Sequence, residues 1–275
     1  RHYGIFFTSM LYLTIGPSFA IPRCATVAFS VGLEQMIPKE NYTMALAVFS
    51  LLFFAAVLFF SLRPGEILVW IGKVLNPLFL CFLAILVVRA LISPMGEVQM
   101  MEAEGAYASG AFFTGVLEGY NTMDALASLA FGIIVVNVIR GLGVEEPEHT
   151  AKNTVKAGIF SSLLMAAIYL LVTLVGAQSR AVIGVSENGG VALAGIAEHY
   201  FGAAGALILA ATVTLACLKT AVGLITSCGE TFEEMVPKGP SYKVWAVGFC
   251  VISFVIANLG LNSIIAYSVP VLMFL

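Results

Sequence analysis

Residues Phe113 to Arg140 read FTGVLEGYNTMDALASLAFGIIVVNVIR. The stretch is longer than the roughly 20 mostly apolar residues that carry a helix across a bilayer. Its middle, Glu118-Gly119-Tyr120-Asn121-Thr122-Met123-Asp124, is a run that no simple lipid-facing helix would choose. A carboxylate at membrane depth costs at least about 2.5 kcal/mol on insertion scales, so it faces a cavity or a partner. Asp124 is also the only aspartate in the chain. The spacing predicts a transmembrane helix broken between Glu118 and Asp124, with the gap forming half of a binding site.

Composition agrees with a membrane setting. Of 275 residues, 60% are hydrophobic and 11% are charged, and the mean hydropathy is +1.00. Soluble domains carry roughly 25% charged residues. Apolar runs long enough to span recur along the whole length, which predicts an all-α, polytopic transmembrane helix bundle. The net charge of −3 gives no sign of a nucleic-acid partner, and none is expected; membrane lipid is the expected surrounding. The cysteines (Cys24, Cys81, Cys217, Cys228, Cys250) lie in apolar runs with no CxxC pair and read as packing residues. His2, His149 and His199 fall in connecting segments, against a metal or catalytic role, and no cofactor is expected.

Eight spans are expected in a single transmembrane domain, at 5–33, 44–62, 66–92, 111–140, 154–177, 203–228, 243–259 and 261–275. The first contains Gly16-Pro17 and Pro22-Arg23, prolines five residues apart. Each proline removes a backbone donor, and in lipid the freed carbonyl needs another partner. The segment reads either as a kinked, packed helix or as a helix bent around a cavity with Arg23 near its mouth. Asn76-Pro77 marks a second kink in the third span. Residues 141–156 read as a charged loop and 178–202 as a long connection. Within the latter, Val191 to Ala197 forms a short helix stopped near Gly202. No signal peptide is visible, and the chain reads as a piece of a larger protein.

Basic residues in the loops set orientation. With alternating spans, Arg1, Arg63, Arg140, Lys152, Lys156, Lys238 and Lys243 share one side, and Lys39, Arg89 and Arg180 the other. The richer side is then cytoplasmic, and the expected location is the inner membrane of a prokaryotic cell.

Two segments resemble one family. Gly16-Pro17-Ser18-Phe19-Ala20-Ile21-Pro22-Arg23-Cys24-Ala25-Thr26 is similar to the GPxFAIPRTA signature of the branched-chain amino acid:cation symporters, the BrnQ-type carriers. The run Glu118 to Leu129 resembles a second signature of the same family. The resemblance implies a LeuT-like inverted-repeat fold with binding at discontinuous helices near the midplane. It also implies a chain that lacks the first two helices and the last, and is therefore incomplete in that architecture. The implied activity is import of leucine, isoleucine and valine coupled to a cation, with sodium as the expected ion.

Under this resemblance Glu118, Gly119, Tyr120, Asn121, Thr122 and Asp124, with Tyr12, are the expected substrate-binding residues. The end of the leading half-helix near Glu118 and Gly119 offers carbonyls to an ammonium group. Thr122 or Asp124 is positioned to cap the second half-helix, and the plain alternative for Asp124 is a cap without ligand contact. Tyr120 and Phe131 read as walls of an aliphatic pocket or as simple packing. Arg23 and Glu118 are the expected gating pair, Arg23 facing an outward vestibule. Ala216-Cys217-Leu218-Lys219-Thr220 resembles a sodium-binding segment, in which Ala216 and Thr220 supply oxygens to a hard cation. Lys219 departs from that pattern: its ammonium replaces the ion, titrates, or turns to the interface.

Three other readings stand beside this one. A proton-coupled or exchanging carrier would use Lys219 as its titrating group. An intramembrane enzyme would need Glu118 and Asp124 to converge, yet six residues on a helix place them about 120° apart. A structural membrane subunit explains the apolar mass but not the run from Gly119 to Asp124.

Overall fold

The computed structural model describes residues 2–34, 37–62, 66–98, 102–144, 146–236 and 239–274. Arg1, Arg63 and Lys238, used above for orientation, and the side chain of Phe131 lie outside the described residues. The chain is helical in the order α1 (His2–Leu13), a π-helical segment (Thr14–Ala20), α2 (Ile21–Gly32), a 3-10 turn (Lys39–Asn41), α3 (Tyr42–Leu62), α4 (Glu66–Ile92), α5 (Tyr107–Tyr120), α6 (Asp124–Gly141), α7 (Pro147–Ile183), α8 (Gly189–Met235), α9 (Tyr242–Ala257) and α10 (Leu261–Phe274). Among the described residues four helices are long and apolar enough to cross a membrane: Ile5–Gly32, Lys39–Leu62, Pro147–Ile183 and Gly189–Met235. The α9–α10 pair, bent by 106°, forms a fifth such length if it counts as one span. Two compact units result: residues 1–96 with 179–275, and residues 97–178.

In the first unit α2 packs chiefly against α8. Ile21, Ala25, Ala28 and Phe29 of α2 are fully buried, a spacing that gathers one helical face. The Phe29 ring meets Tyr42 at 5.5 Å and Phe49 at 5.6 Å. In α3 the buried residues Leu46, Ser50, Phe53, Phe54, Val57 and Ser61 form one stripe. Met44, Val48, Leu51, Leu52 and Phe59 stay exposed on the rest. A helix that is apolar all round yet half exposed suits lipid contact. The small Ser50 and Ser61 are fully buried in this stripe.

The prolines of the first span do not break it; Pro17 lies inside the π segment and Pro22 at the start of α2. A π-helix bonds each N–H to the carbonyl five residues back, as Ile21 does to Gly16. In that register Pro17 would serve Tyr12 and Pro22 would serve Pro17, and neither proline has an N–H to give. Both carbonyls are answered from other helices. The Cys228 thiol of α8 donates to Tyr12 at 3.9 Å, and the Ser253 hydroxyl of α9 donates to Pro17 at 3.1 Å. Gly16 makes room for this contact, because a Cβ there would stand 2.5 Å from Cys228 Sγ. Further along, α4 stays helical through Pro77.

Toward the same C-terminal end of α8, Tyr242 of α9 knots three helices. Its amide donates to Glu233 at 2.9 Å and its hydroxyl to the Ser61 carbonyl at 2.8 Å. Gly229 lies under its ring, where a Cβ would come within 2.8 Å.

Two loop expectations are corrected. The charged stretch 141–156 is helical from Pro147 onward, since proline at a first helical position is pre-set for helix and loses no bond. Helix α7 then continues to Ile183, over residues expected to begin a connection. Its 37 residues extend about 55 Å, longer than a bilayer core is thick. The short helix after it begins at Gly189, capped by Asn188, whose side chain accepts from the Val191 amide at 3.0 Å. It ends at Gly202, which takes φ 64 and ψ −165, close to a region essentially reserved for glycine.

Candidate functional site: an interrupted helix

The second unit holds the interruption. Helix α5 closes with the Asn121 amide on Leu117 at 2.9 Å. The next two amides shorten their reach: Thr122 bonds Gly119 at 3.3 Å and Met123 bonds Tyr120 at 3.1 Å. Met123 then takes a left-handed φ of 68, and α6 starts at Asp124. Because Thr122 turns to Gly119, the Glu118 carbonyl loses the donor an α-helix would give it. On the far side, the amides of Asp124, Ala125 and Leu126 open α6 with no side-chain cap, as the first N–H groups of any helix do. A partial negative end and a partial positive end thus face the same three residues, Asn121 to Met123. That arrangement can hold a cationic and an anionic group of one small molecule.

Asp124 does not cap the helix it starts, which corrects the capping expectation. Its carboxylate accepts from the Thr122 hydroxyl at 2.8 Å and from the Tyr169 hydroxyl at 2.5 Å. The αL turn at Met123 leads the chain into α6 without a polar cap, and the acid lies beside the positive helix end, where it is stabilised. The Thr122 hydroxyl also lies 2.8 Å from the Gly119 carbonyl. It has one proton and serves one acceptor at a time. Tyr169, inside the expected span 154–177, is not among the expected site residues. Its phenol inside the run Ala167-Ile168-Tyr169-Leu170 was the only signal.

The remaining expected residues lie elsewhere. Tyr12 is buried in the first unit, where its carbonyl meets Cys228. Arg23 is half-buried in the first turns of α2, in the first unit, while Glu118 is exposed in the second. Ala216, Lys219 and Thr220 lie mid-way along α8, whose backbone stays helical there. The Thr220 hydroxyl donates to the Ala216 carbonyl at 3.0 Å, so the two oxygens expected to meet a cation are adjacent. Lys219 is half-buried beside them. Among the described residues no group of three or more His, Cys, Asp or Glu side chains could hold a metal ion.

Apolar helices of spanning length, one of them a bent pair, and an interrupted helix carrying a paired carboxylate define the class: a multi-pass helical membrane protein. The family model described as Branched-chain amino acid transport protein matches residues 1–275, and the chain belongs to that family. It is 54% identical over 274 residues to the Branched-chain amino acid permease BrnQ of Lactobacillus delbrueckii subsp. lactis, covering 99% of this chain and 61% of that protein. Identity to the permease of the same name from Bacillus subtilis is 41%, covering 98% and 61%. The Branched-chain amino acid transport system 2 carrier protein of Pseudomonas aeruginosa is 38% identical, covering 99% and 61%. The chain thus spans about 61% of the length of these relatives. No solved structure matches it.

Proposed function

We propose that the complete protein is a secondary transporter that imports leucine, isoleucine and valine across the inner membrane of a prokaryotic cell, coupled to a cation, and that it is not an enzyme. The observation that carries this reading is the interruption at Asn121–Met123, with helix ends of opposite sign on its two sides. The Glu118 carbonyl receives the substrate ammonium, and the amides opening α6 receive its carboxylate. Gly119, Tyr120, Asn121 and Thr122 line the gap. The architecture in which these parts work is LeuT-like, with inverted repeats, and the expected spans form one transmembrane domain set in lipid.

Sodium is the coupling ion in this reading, held by the Ala216 carbonyl and the Thr220 hydroxyl. Two oxygens 3.0 Å apart are a fitting start for a hard cation that takes oxygen ligands. Lys219, half-buried next to Thr220, favours a second version in which its ammonium replaces the ion or exchanges a proton.

Uptake by the complete carrier in proteoliposomes tests the reading. Leucine, isoleucine and valine should compete for one site, whereas lysine and glutamate should not. A second charge would need a partner in an apolar pocket. Glutamate entering at rates similar to leucine would overturn it.

A further inference from the structure

Away from the interrupted helix, the first unit holds a cavity of ≈ 730 Å³, within the range that takes small molecules. It lies where the end of α2, the start of α3, the turn before α8 and the start of α10 come together. The sharp turn at Gly260, which takes φ 84, bends α10 by 106° from α9 and brings Leu259 and Leu261 into its wall. Lys39 is among its lining residues, which puts it on the face expected to lie outside the cell.

Side chains of both charge signs line the cavity. Glu34 lines it, and the Glu34 Oε2 atom is buried with no hydrogen-bond partner among the described residues. An unmatched buried carboxylate oxygen is costly, and a cationic donor removes the cost. Lys39 stands at the mouth with its side chain 97% exposed, 3.7 Å from Glu187. A pair that long and that exposed is worth little, so Lys39 is available to another anion. Ile183, Val185, Leu259 and Leu261 supply an apolar wall.

We infer that this cavity is a second binding site, for a small zwitterion with an aliphatic side chain. The ammonium sits on Glu34, the carboxylate on Lys39, and the side chain against Ile183, Val185 and Leu259. Neither a simple amine nor a simple acid uses both charges. That the ligand is also the transported substrate, captured on its way in, rests on the transport reading above.

Impermeant maleimide labelling of the complete carrier in membranes tests the site, with cysteine introduced as Thr43→Cys or Ser263→Cys on the cavity wall and the parent protein as control. Leucine should slow labelling at both positions several-fold, while lysine and glutamate leave it unchanged. Adding Glu34→Gln should abolish the protection and leave the rate without leucine as it was. The inference is overturned if leucine gives no protection, if neither cysteine reacts, or if protection survives Glu34→Gln. Leucine uptake is followed on the same proteins. Protection without uptake overturns the transport reading alone, and uptake without protection overturns this one alone.

Discussion

Ser253 donates its hydroxyl to the carbonyl of Pro17 at 3.1 Å, across 236 residues of chain. The bond replaces one that Pro22 cannot make, and both groups are buried. Ser253→Ala should therefore leave a buried carbonyl unmatched, at a cost of about 1–3 kcal/mol. Thermal unfolding in detergent should show a lower midpoint, and Ser253→Thr should retain much of the stability. An unchanged midpoint for the alanine variant would contradict the account of the π segment.

Gly16 is the matching steric test. A Cβ at 2.5 Å from Cys228 Sγ forces the helices apart, and overpacking of this kind costs about 1–3 kcal/mol. Gly16→Ala should be destabilised, and Cys228→Ala in the same molecule should recover part of the loss. The two changes should be non-additive because the residues touch. Additive losses would mean that the contact is not the cause.

Tyr169→Phe removes one donor from the Asp124 carboxylate. A hydrogen bond to a charged group is worth about 1.5–3 kcal/mol, so leucine uptake by the complete carrier should fall about tenfold or more. Asp124→Asn should fall comparably, and the double variant should be little worse than the worse single one. Full uptake by Tyr169→Phe would remove the bond from the working site.

Gly202 holds φ 64 and ψ −165, which other residues reach at a cost of about 1–3 kcal/mol. Gly202→Ala should lower the unfolding midpoint or shift the short helix before it, read as faster amide exchange over 189–201. No change in either would mean that the turn adapts freely.

Lys219 separates the two coupling schemes. If its ammonium takes the place of the ion, uptake should need no sodium, and Lys219→Thr should create sodium dependence with Thr220. Sodium-driven uptake by the unchanged protein rules out the replacement. Loss of sodium dependence in Thr220→Ala would support the oxygen pair at Ala216 and Thr220.

The features legible in the sequence were those in which local chemistry contradicts its surroundings. A carboxylate in an apolar run announced the break before Asp124, and Gly202 after an apolar helix announced its stop. Partners supplied by another helix were not legible. Tyr169 lies 45 residues from Asp124, and nothing beside it hints that its hydroxyl is used. The spacing of Pro17 and Pro22 was visible, but the thiol and hydroxyl that answer their missing amides belong to α8 and α9. Helix α7 was read too short at both ends because charge was taken to mean loop, whereas Pro147 and the residues after it extend the helix.

The π segment also acts as a phase shift within the membrane. Each residue it accommodates beyond α-helical winding turns everything after it by about 100°. The azimuth of Arg23, Thr26 and Ser30 is therefore set by the seven residues from Thr14 to Ala20 and not by α2 itself. Loss of a single residue there would leave every side chain of α2 intact while aiming each one at a different neighbour. In this chain, the length of one short segment decides which face of a helix is its interior.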